Sequence, residues 1–249
     1  MIDQFQDLAR HRGPLQKKSL KSEVFDVLQS RVIAGAYSPG TWLRQSEIAD
    51  ELAVSLTPVR EALDQLVAEG LAQRVPYRGV RVPMFTDDEI VDAYVARLII
   101  EAPAAGMAAH NVSSSRSASL LSLVEQTENL TEPAHMAQYR RLNWRIHRTI
   151  AEAAGNVLLA RVHAIAINRF PDWMLYESLL QKPDELRSVL KREYGEHAAL
   201  VDAIVGGRPT EAVDAALLHL RGVREDIATS LGVPEELLVQ REGQVCAGT

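Results

Sequence analysis

The chain has 249 residues with a formal net charge of −6 and a single cysteine, Cys246. That length is enough for two domains with a sizeable core, and one cysteine excludes both a disulfide framework and a thiolate zinc site, which implies the cytosol. Residues 1–14 lack the apolar core of a signal peptide and no later run reaches the length of a membrane span, so no membrane segment is expected.

In chain order, residues 1–14 read as a flexible arm, 15–85 as one domain, 86–232 as a second, and 233–249 as a weakly ordered tail. The charge is divided unevenly: residues 15–85 carry nine Lys/Arg against eight Asp/Glu, and 86–249 carry sixteen against twenty-three. Acidity therefore belongs to the second domain, and the near-neutral first domain must bind any nucleic acid through a few placed arginines and through dimerisation.

The first domain begins with a helix over Lys18–Ala34, whose apolar face is Leu20, Val24, Val27, Leu28 and Val32 and whose stop is Gly35. A short helix, Ser46–Ala53, turns Ile48, Ala49 and Leu52 inward. Thr57 then caps and Pro58 opens a third helix, which runs to Gly70. Val59, Ala62, Leu63, Leu66 and Val67 form one stripe on it, leaving Arg60, Glu61, Asp64 and Gln65 outward. A helix that packs on one side and offers its N-terminus on the other suits the major groove and its phosphates. Two short strands, Leu71–Val75 and Val80–Met84, close a hairpin around Pro76-Tyr77-Arg78-Gly79 and carry Arg74, Arg78 and Arg81. The candidate DNA contacts are Arg44, Ser46, Ser55, Thr57, Pro58, Arg60, Arg78 and Gly79. A helix pair of this kind also occurs in protein–protein modules, and Arg60 also reads as a solvated helix charge.

From Thr86 the pattern is helical: Thr86–Ala109, Ser115–Leu130, His135–Ala154, Asn156–Tyr176, Asp184–Val205 and Thr210–Leu231. Six such helices make an antiparallel bundle, a fold that binds ligands and metals between facing helices. The fold class is thus mainly α, a winged helix-turn-helix followed by an all-helical bundle. His147, His197 and His219 each share an apolar face on a different helix, and Asn143 lies one turn before His147. Three imidazoles and one oxygen with open positions suit a divalent metal, zinc first, with nickel or manganese as alternatives. A histidine on an apolar face also serves as a hydrogen-bonded core residue. Three His with an open position is in general also the geometry of a catalytic zinc, so a metal-dependent hydrolase or isomerase is the rival reading. No residue is placed as its general base, since Glu196 is adjacent to His197 and points away from it.

The run Ala34-Gly35 to Pro39-Gly40, followed by Val54-Ser55-Leu56-Thr57-Pro58-Val59-Arg60-Glu61-Ala62-Leu63, resembles the DNA-binding domain of the GntR family of bacterial transcription factors over about sixty residues. One departure is Leu56, where most relatives have an Arg; a leucine cannot donate to guanine or phosphate. The segments Leu142–His147 through Gly155-Asn156, Glu196–Ile204 and Ala215–Leu220 resemble the FCD ligand-binding domain of the FadR-like branch. That resemblance implies a metal on Asn143, His147, His197 and His219 at the floor of an effector cavity, with Asn143 where Asp is commoner. It also implies an effector-binding Arg97 in the setting Tyr94, Arg97, Glu101, although Glu101 is one turn away and can simply pair with it. Asn168 and Arg169 are further candidates for lining the cavity. The implied protein is a cytoplasmic, homodimeric, ligand-responsive regulator that binds a two-fold operator and a small carboxylate effector, and is not an enzyme.

Overall fold

The computed structural model describes residues 19–169, 172–180 and 182–246. The first domain is built from α1 (Leu20–Ile33), α2 (Gln45–Leu52), α3 (Leu56–Ala68), β1 (Gln73–Val75) and β2 (Gly79–Arg81). Val24, Phe25, Leu28 and Val32 of α1 meet Val59, Ala62, Leu63 and Leu66 of α3 in one core, closed by Leu71, Val80 and Val82. Leu20 and Val27, expected inside, are exposed, and Phe25 takes the inner face instead. The strands pair antiparallel with Arg74 opposite Val80, and Trp42 bridges to Arg81, so the linker before α2 forms a third edge of the wing. The turn between α2 and α3 is tight because Ala53 adopts the left-handed conformation, at φ 53°.

The N-cap of α3 is Ser55, so Thr57 and Pro58 lie inside the first turn, where a missing N–H is harmless. Pro58 is buried in the packing, which removes it from the surface the sequence reading assigned to DNA.

The second domain is helical in its described residues: α4 (Asp87–Asn111), α5 (Ser114–Glu125), α6 (Met136–Ala153), α7 (Val157–Arg169), α8 (Asp172–Leu179), α9 (Pro183–Val205), α10 (Pro209–Leu231) and α11 (Glu235–Cys246). A full capping box starts α4, with Thr86 and Glu89 each bonding the other's backbone N–H. Two expectations fail here. The helix read across Asn156–Tyr176 is two helices, α7 and α8, with Pro171 between them among the undescribed residues; proline removes a helix hydrogen bond and clashes with the preceding turn. The tail read as weakly ordered forms α11, whose Leu238 is fully buried with Val233 against the start of α4 and the end of α10. Leu238 and partly buried Leu237, with Val233 just ahead of the helix, dock it, too short a pattern to show as a periodic stripe.

Within the bundle, α4 runs along α10 and packs against α6, α7 and α9. The largest apolar cluster joins α4, α5, α6, α8, α9 and α10 around Leu120, Tyr139, Ile146, Leu186, Leu190, Ile204 and Ala212. The two domains touch where α1 meets α6.

Candidate DNA-binding surface and metal centre

The first domain gathers its polar candidates on one side. Arg44, Ser46, Leu56, Arg78 and Gly79 line a single groove with Trp42, Leu43, Gln45 and Val80, between the N-termini of α2 and α3 and the wing. Ser55 and Thr57 are exposed beside it, and the Ser55 hydroxyl makes no capping bond. The N–H groups at the start of α3 therefore have no side-chain cap, the arrangement that can receive a phosphate. Arg60 is exposed, with its Nε 3.5 Å from the Gln45 side chain. Arg74, by contrast, is paired with Asp64 of α3 and fastens the wing to that helix. Two residues outside the expected DNA contacts also stand at this surface. Tyr77 is completely exposed at the wing tip with φ 60°, and Leu56 presents a half-exposed aliphatic side chain at the front of α3. The first carries no sequence signal beyond its place in a Pro/Gly turn, and the second stood out only as a departure from a family pattern.

In the bundle, α6, α9 and α10 bring His147, His197 and His219 together, each at most 3 % exposed, with one ring nitrogen from each inside a group no wider than 4.8 Å. The Nε2 atoms of His147 and His197 are 3.2 Å apart. Two nitrogens bound to one tetrahedral ion at zinc's usual bond length stand roughly 3.3 Å apart, so the pair fits. Two of the outer nitrogens are held by carboxylates, while His197 Nδ1 is buried without a hydrogen-bond partner among the described residues. His147 Nδ1 lies 3.0 Å from Glu101 of α4, and His219 Nδ1 lies 2.9 Å from Glu196 of α9. These contacts fix the tautomers and turn each Nε2 inward, the usual support for a metal-ligating imidazole. His219 Nε2 is buried without a hydrogen-bond partner among the described residues. A buried polar atom left in that state is costly, and a bound cation would satisfy it.

Glu196, read from the sequence as pointing away from His197, reaches the cluster from α9 and braces His219 on the next helix. Arg192 in turn meets Glu196 at 3.2 Å and Asp226 at 2.5 Å. Burial holds His197 well below the ordinary imidazole range, helped by the nearby His219, His147 and Arg97; His219 is held low by burial first, then by His147 and Arg97. Both stay neutral, the form that can ligate. Asn143, one turn before His147, is buried and donates from its amide nitrogen to the Tyr176 hydroxyl at 3.5 Å. Tyr176 and Tyr139 both donate to buried Glu193, at 2.9 and 2.5 Å.

The effector candidates fall differently. Arg97 is 1 % exposed and its guanidinium grips Glu101 at 2.5 and 3.2 Å, so the pairing that was the alternative reading is the one formed. Burial would raise the Glu101 pKa, but the Arg97 charge with His147 behind it holds the carboxylate well below its usual range. Asn168 does not line the cavity. Its oxygen accepts from the Trp144 indole at 2.9 Å and its nitrogen donates to the Glu69 carbonyl of the DNA-binding domain at 2.9 Å. The side chain of Arg169 is outside the described residues. A residue not foreseen, His163 of α7, is fully buried on the cavity wall with its Nε2 3.6 Å from Glu101. The space enclosed by Glu101, Ala105, His147, Ile150, His163 and His219 has room for one water-sized body.

A winged helix-turn-helix carrying an all-helical bundle with a buried histidine cluster defines a two-domain, DNA-binding regulator. Residues 20–82 match the family described as "Bacterial regulatory proteins, gntR family", and residues 92–222, more than half the chain, match the FCD domain. The chain belongs to the GntR family of transcription regulators, in the branch with a C-terminal FCD domain. It is 28 % identical over 206 residues, 82 % of this chain and 87 % of the relative, to the "Probable D-xylose utilization operon transcriptional repressor" of Paenarthrobacter nicotinovorans. It is 28 % identical over 191 residues, covering 76 % and 85 %, to the "HTH-type transcriptional regulator McbR" of Escherichia coli K12. The solved structure of E. coli McbR/YncC shares the fold, with a TM-score of 0.71 at 22 % identity, covering 87 % of this chain and 99 % of that one. The hydrolase or isomerase alternative is set aside, because families and relatives alike are transcription regulators. Among the described residues no helix is long and apolar enough to cross a membrane.

Proposed function

We propose that the chain is a cytoplasmic transcriptional repressor that binds a two-fold operator as a homodimer and changes its operator affinity when a small organic acid enters a metal-containing pocket. The observation that carries this reading is the convergence of three buried imidazoles with a carboxylate behind two of them. His147, His197 and His219, with Asn143, would hold the ion, zinc before nickel or manganese. A metal bound there would supply a Lewis-acid anchor for a carboxylate oxygen.

The chain's own residues supply the rest. Arg97 sits beside the histidines on the side of Glu101, and an incoming carboxylate would compete for it with Glu101. Because the enclosed space is only water-sized, an organic acid enters by separating α4 and α7 from α6, so occupancy and movement are the same event. DNA contact is assigned to Arg44, Ser46, Ser55, Thr57, Arg60, Arg78 and Gly79, with Tyr77 added at the wing tip. The repressor direction rests on the relatives. Homodimerisation is supported by the exposed apolar row Leu158, Val162 and Ile165 on α7, beside the groove lined by Ala93, Ala96 and Ile100 of α4. A second copy covering that row removes it from water.

The test is a titration of the chain on its own promoter DNA with a panel of small carboxylates, before and after chelation. The chelated protein should still bind DNA and respond poorly to the acid. A full-amplitude response after chelation refutes the carboxylate-anchoring role.

A further inference from the structure

Helix C-termini leave carbonyls without partners inside the helix and carry the negative end of the helix dipole. At the domain boundary two such ends are met by donors from the bundle. Ala34, the C-cap of α1, accepts from Arg140 Nη1 of α6 at 3.4 Å; Glu69, the C-cap of the DNA-reading helix α3, accepts from Asn168 Nδ2 of α7 at 2.9 Å. Both donors are buried, Arg140 at 6 % and Asn168 at 9 % exposure. The orientation of Asn168 follows from its partners: the Trp144 indole can only donate and a carbonyl can only accept, so the amide fits one way. The approach of Arg140 depends on Gly35. That residue has φ +73°, and a Cβ added there would overlap the guanidinium.

The residues of α6 that reach this boundary are neighbours of the metal centre. Asn143 lies between Arg140 and Trp144 in sequence, and the Tyr176 ring carrying the hydroxyl that Asn143 meets lies 5.6 Å from the Arg140 guanidinium. We infer that Arg140 and Asn168 are positioning residues, a pair of clasps on the C-caps of α1 and α3 through which the filling of the histidine site alters the setting of the recognition helix. This inference rests on the proposed metal-dependent function, and it replaces the effector-binding role expected for Asn168. A shift of α6 acts on one clasp directly through Arg140 and on the other through Trp144 and Asn168. The wing and the N-terminus of α3 stay free to meet DNA.

The experiment is amide hydrogen exchange on the full chain, metal-free and with zinc chloride as the only added ligand. Asn168→Asp keeps the acceptor for Trp144 and removes the donor to Glu69. In the metal-free chain it should speed exchange at residues 66–72 by about five- to tenfold, the loss of one buried hydrogen bond, with melting cooperativity retained. In the wild type, zinc should change protection at 66–72 as well as around His147. In Asn168→Asp, zinc should bind within about twofold of wild type and change only the bundle. Trp144→Phe, which keeps an aromatic ring and removes the indole N–H, should act in the same direction. The inference is overturned if both variants exchange like wild type at 66–72, or if zinc still alters 66–72 in Asn168→Asp. A wild type that takes up no zinc overturns the metal reading instead, while the metal-free comparison still decides whether the clasp exists.

Discussion

Glu101→Gln is the sharpest single perturbation of the centre, because one carboxylate there serves three neighbours. Glu101 accepts two contacts from Arg97, at 2.5 and 3.2 Å, stands 3.0 Å from His147 Nδ1, and lies 3.6 Å from His163, all at 8 % side-chain exposure or less. An amide preserves the shape and one acceptor but not the charge, and so takes away the carboxylate charge that the Arg97 guanidinium, 1 % exposed, meets at 2.5 Å. Breaking a buried pair in this way costs about 3–5 kcal/mol, and the retained acceptor places the expected loss near the lower end. For a chain of this size that is a fall in Tm of roughly 6–12 °C. The second effect is on the metal. Without a carboxylate on Nδ1 the His147 tautomer is no longer enforced, and zinc affinity should fall by about 10–100-fold. The assay pairs thermal unfolding of the metal-free chain with a competitive zinc titration. The double variant Arg97→Met, Glu101→Leu separates the two effects, since removing both charges should restore much of the stability while zinc binding stays weak. A Glu101→Gln protein that melts like wild type and binds zinc equally well refutes both the electrostatic argument and the bracing of His147.

Changing any one of His147, His197 or His219 to Ala should lower the metal content of the purified chain, whereas Asn143→Asp should tighten zinc binding by replacing a neutral oxygen with a charged one; full occupancy in all three His variants by elemental analysis argues against the site. The metal-free chain should lose stability as the pH falls below about 6.5, because the unfolded imidazoles take up protons there while His197 and His219, held low by burial, do not; the unfolded state then binds more protons, and stability rises with pH across that window. His197→Asn should flatten the fall in Tm between about pH 7 and 5, and an unchanged slope in both His197→Asn and His219→Asn counts against this account. At the DNA surface, Arg60→Ala should weaken promoter binding by roughly 1–3 kcal/mol if the side chain reads a base, and by a smaller, salt-sensitive amount if it meets phosphate. Leu56→Arg should steepen the salt dependence by about one phosphate contact, and an unaltered slope over a salt series places Leu56 away from the backbone.

The parts of this protein legible in the sequence are those governed by local chemistry. The stripe Val59, Ala62, Leu63, Leu66 on α3, the hairpin of the wing and the three histidines on apolar faces each follow from spacing of a few residues; the stripe and the histidines are buried and the two strands of the wing pair. Spacing within a helix is set by 3.6 residues per turn, which needs no knowledge of the rest of the chain. What sequence could not supply is which face of one helix meets which face of another. Glu196 reads as a bystander beside His197 until α10 lays His219 against it, and His163 carries no signal until α7 packs on α4. Asn168 reads as a cavity residue on its own helix, yet its partners are Trp144 and a carbonyl 99 residues away at the end of α3. The same holds for α11, where buried Leu238, with Val233 just ahead of the helix, makes too short a pattern to declare a helix before the bundle offers it a surface. Long-range pairings of this kind are selected by the packing of whole elements, so only the tertiary structure decides them.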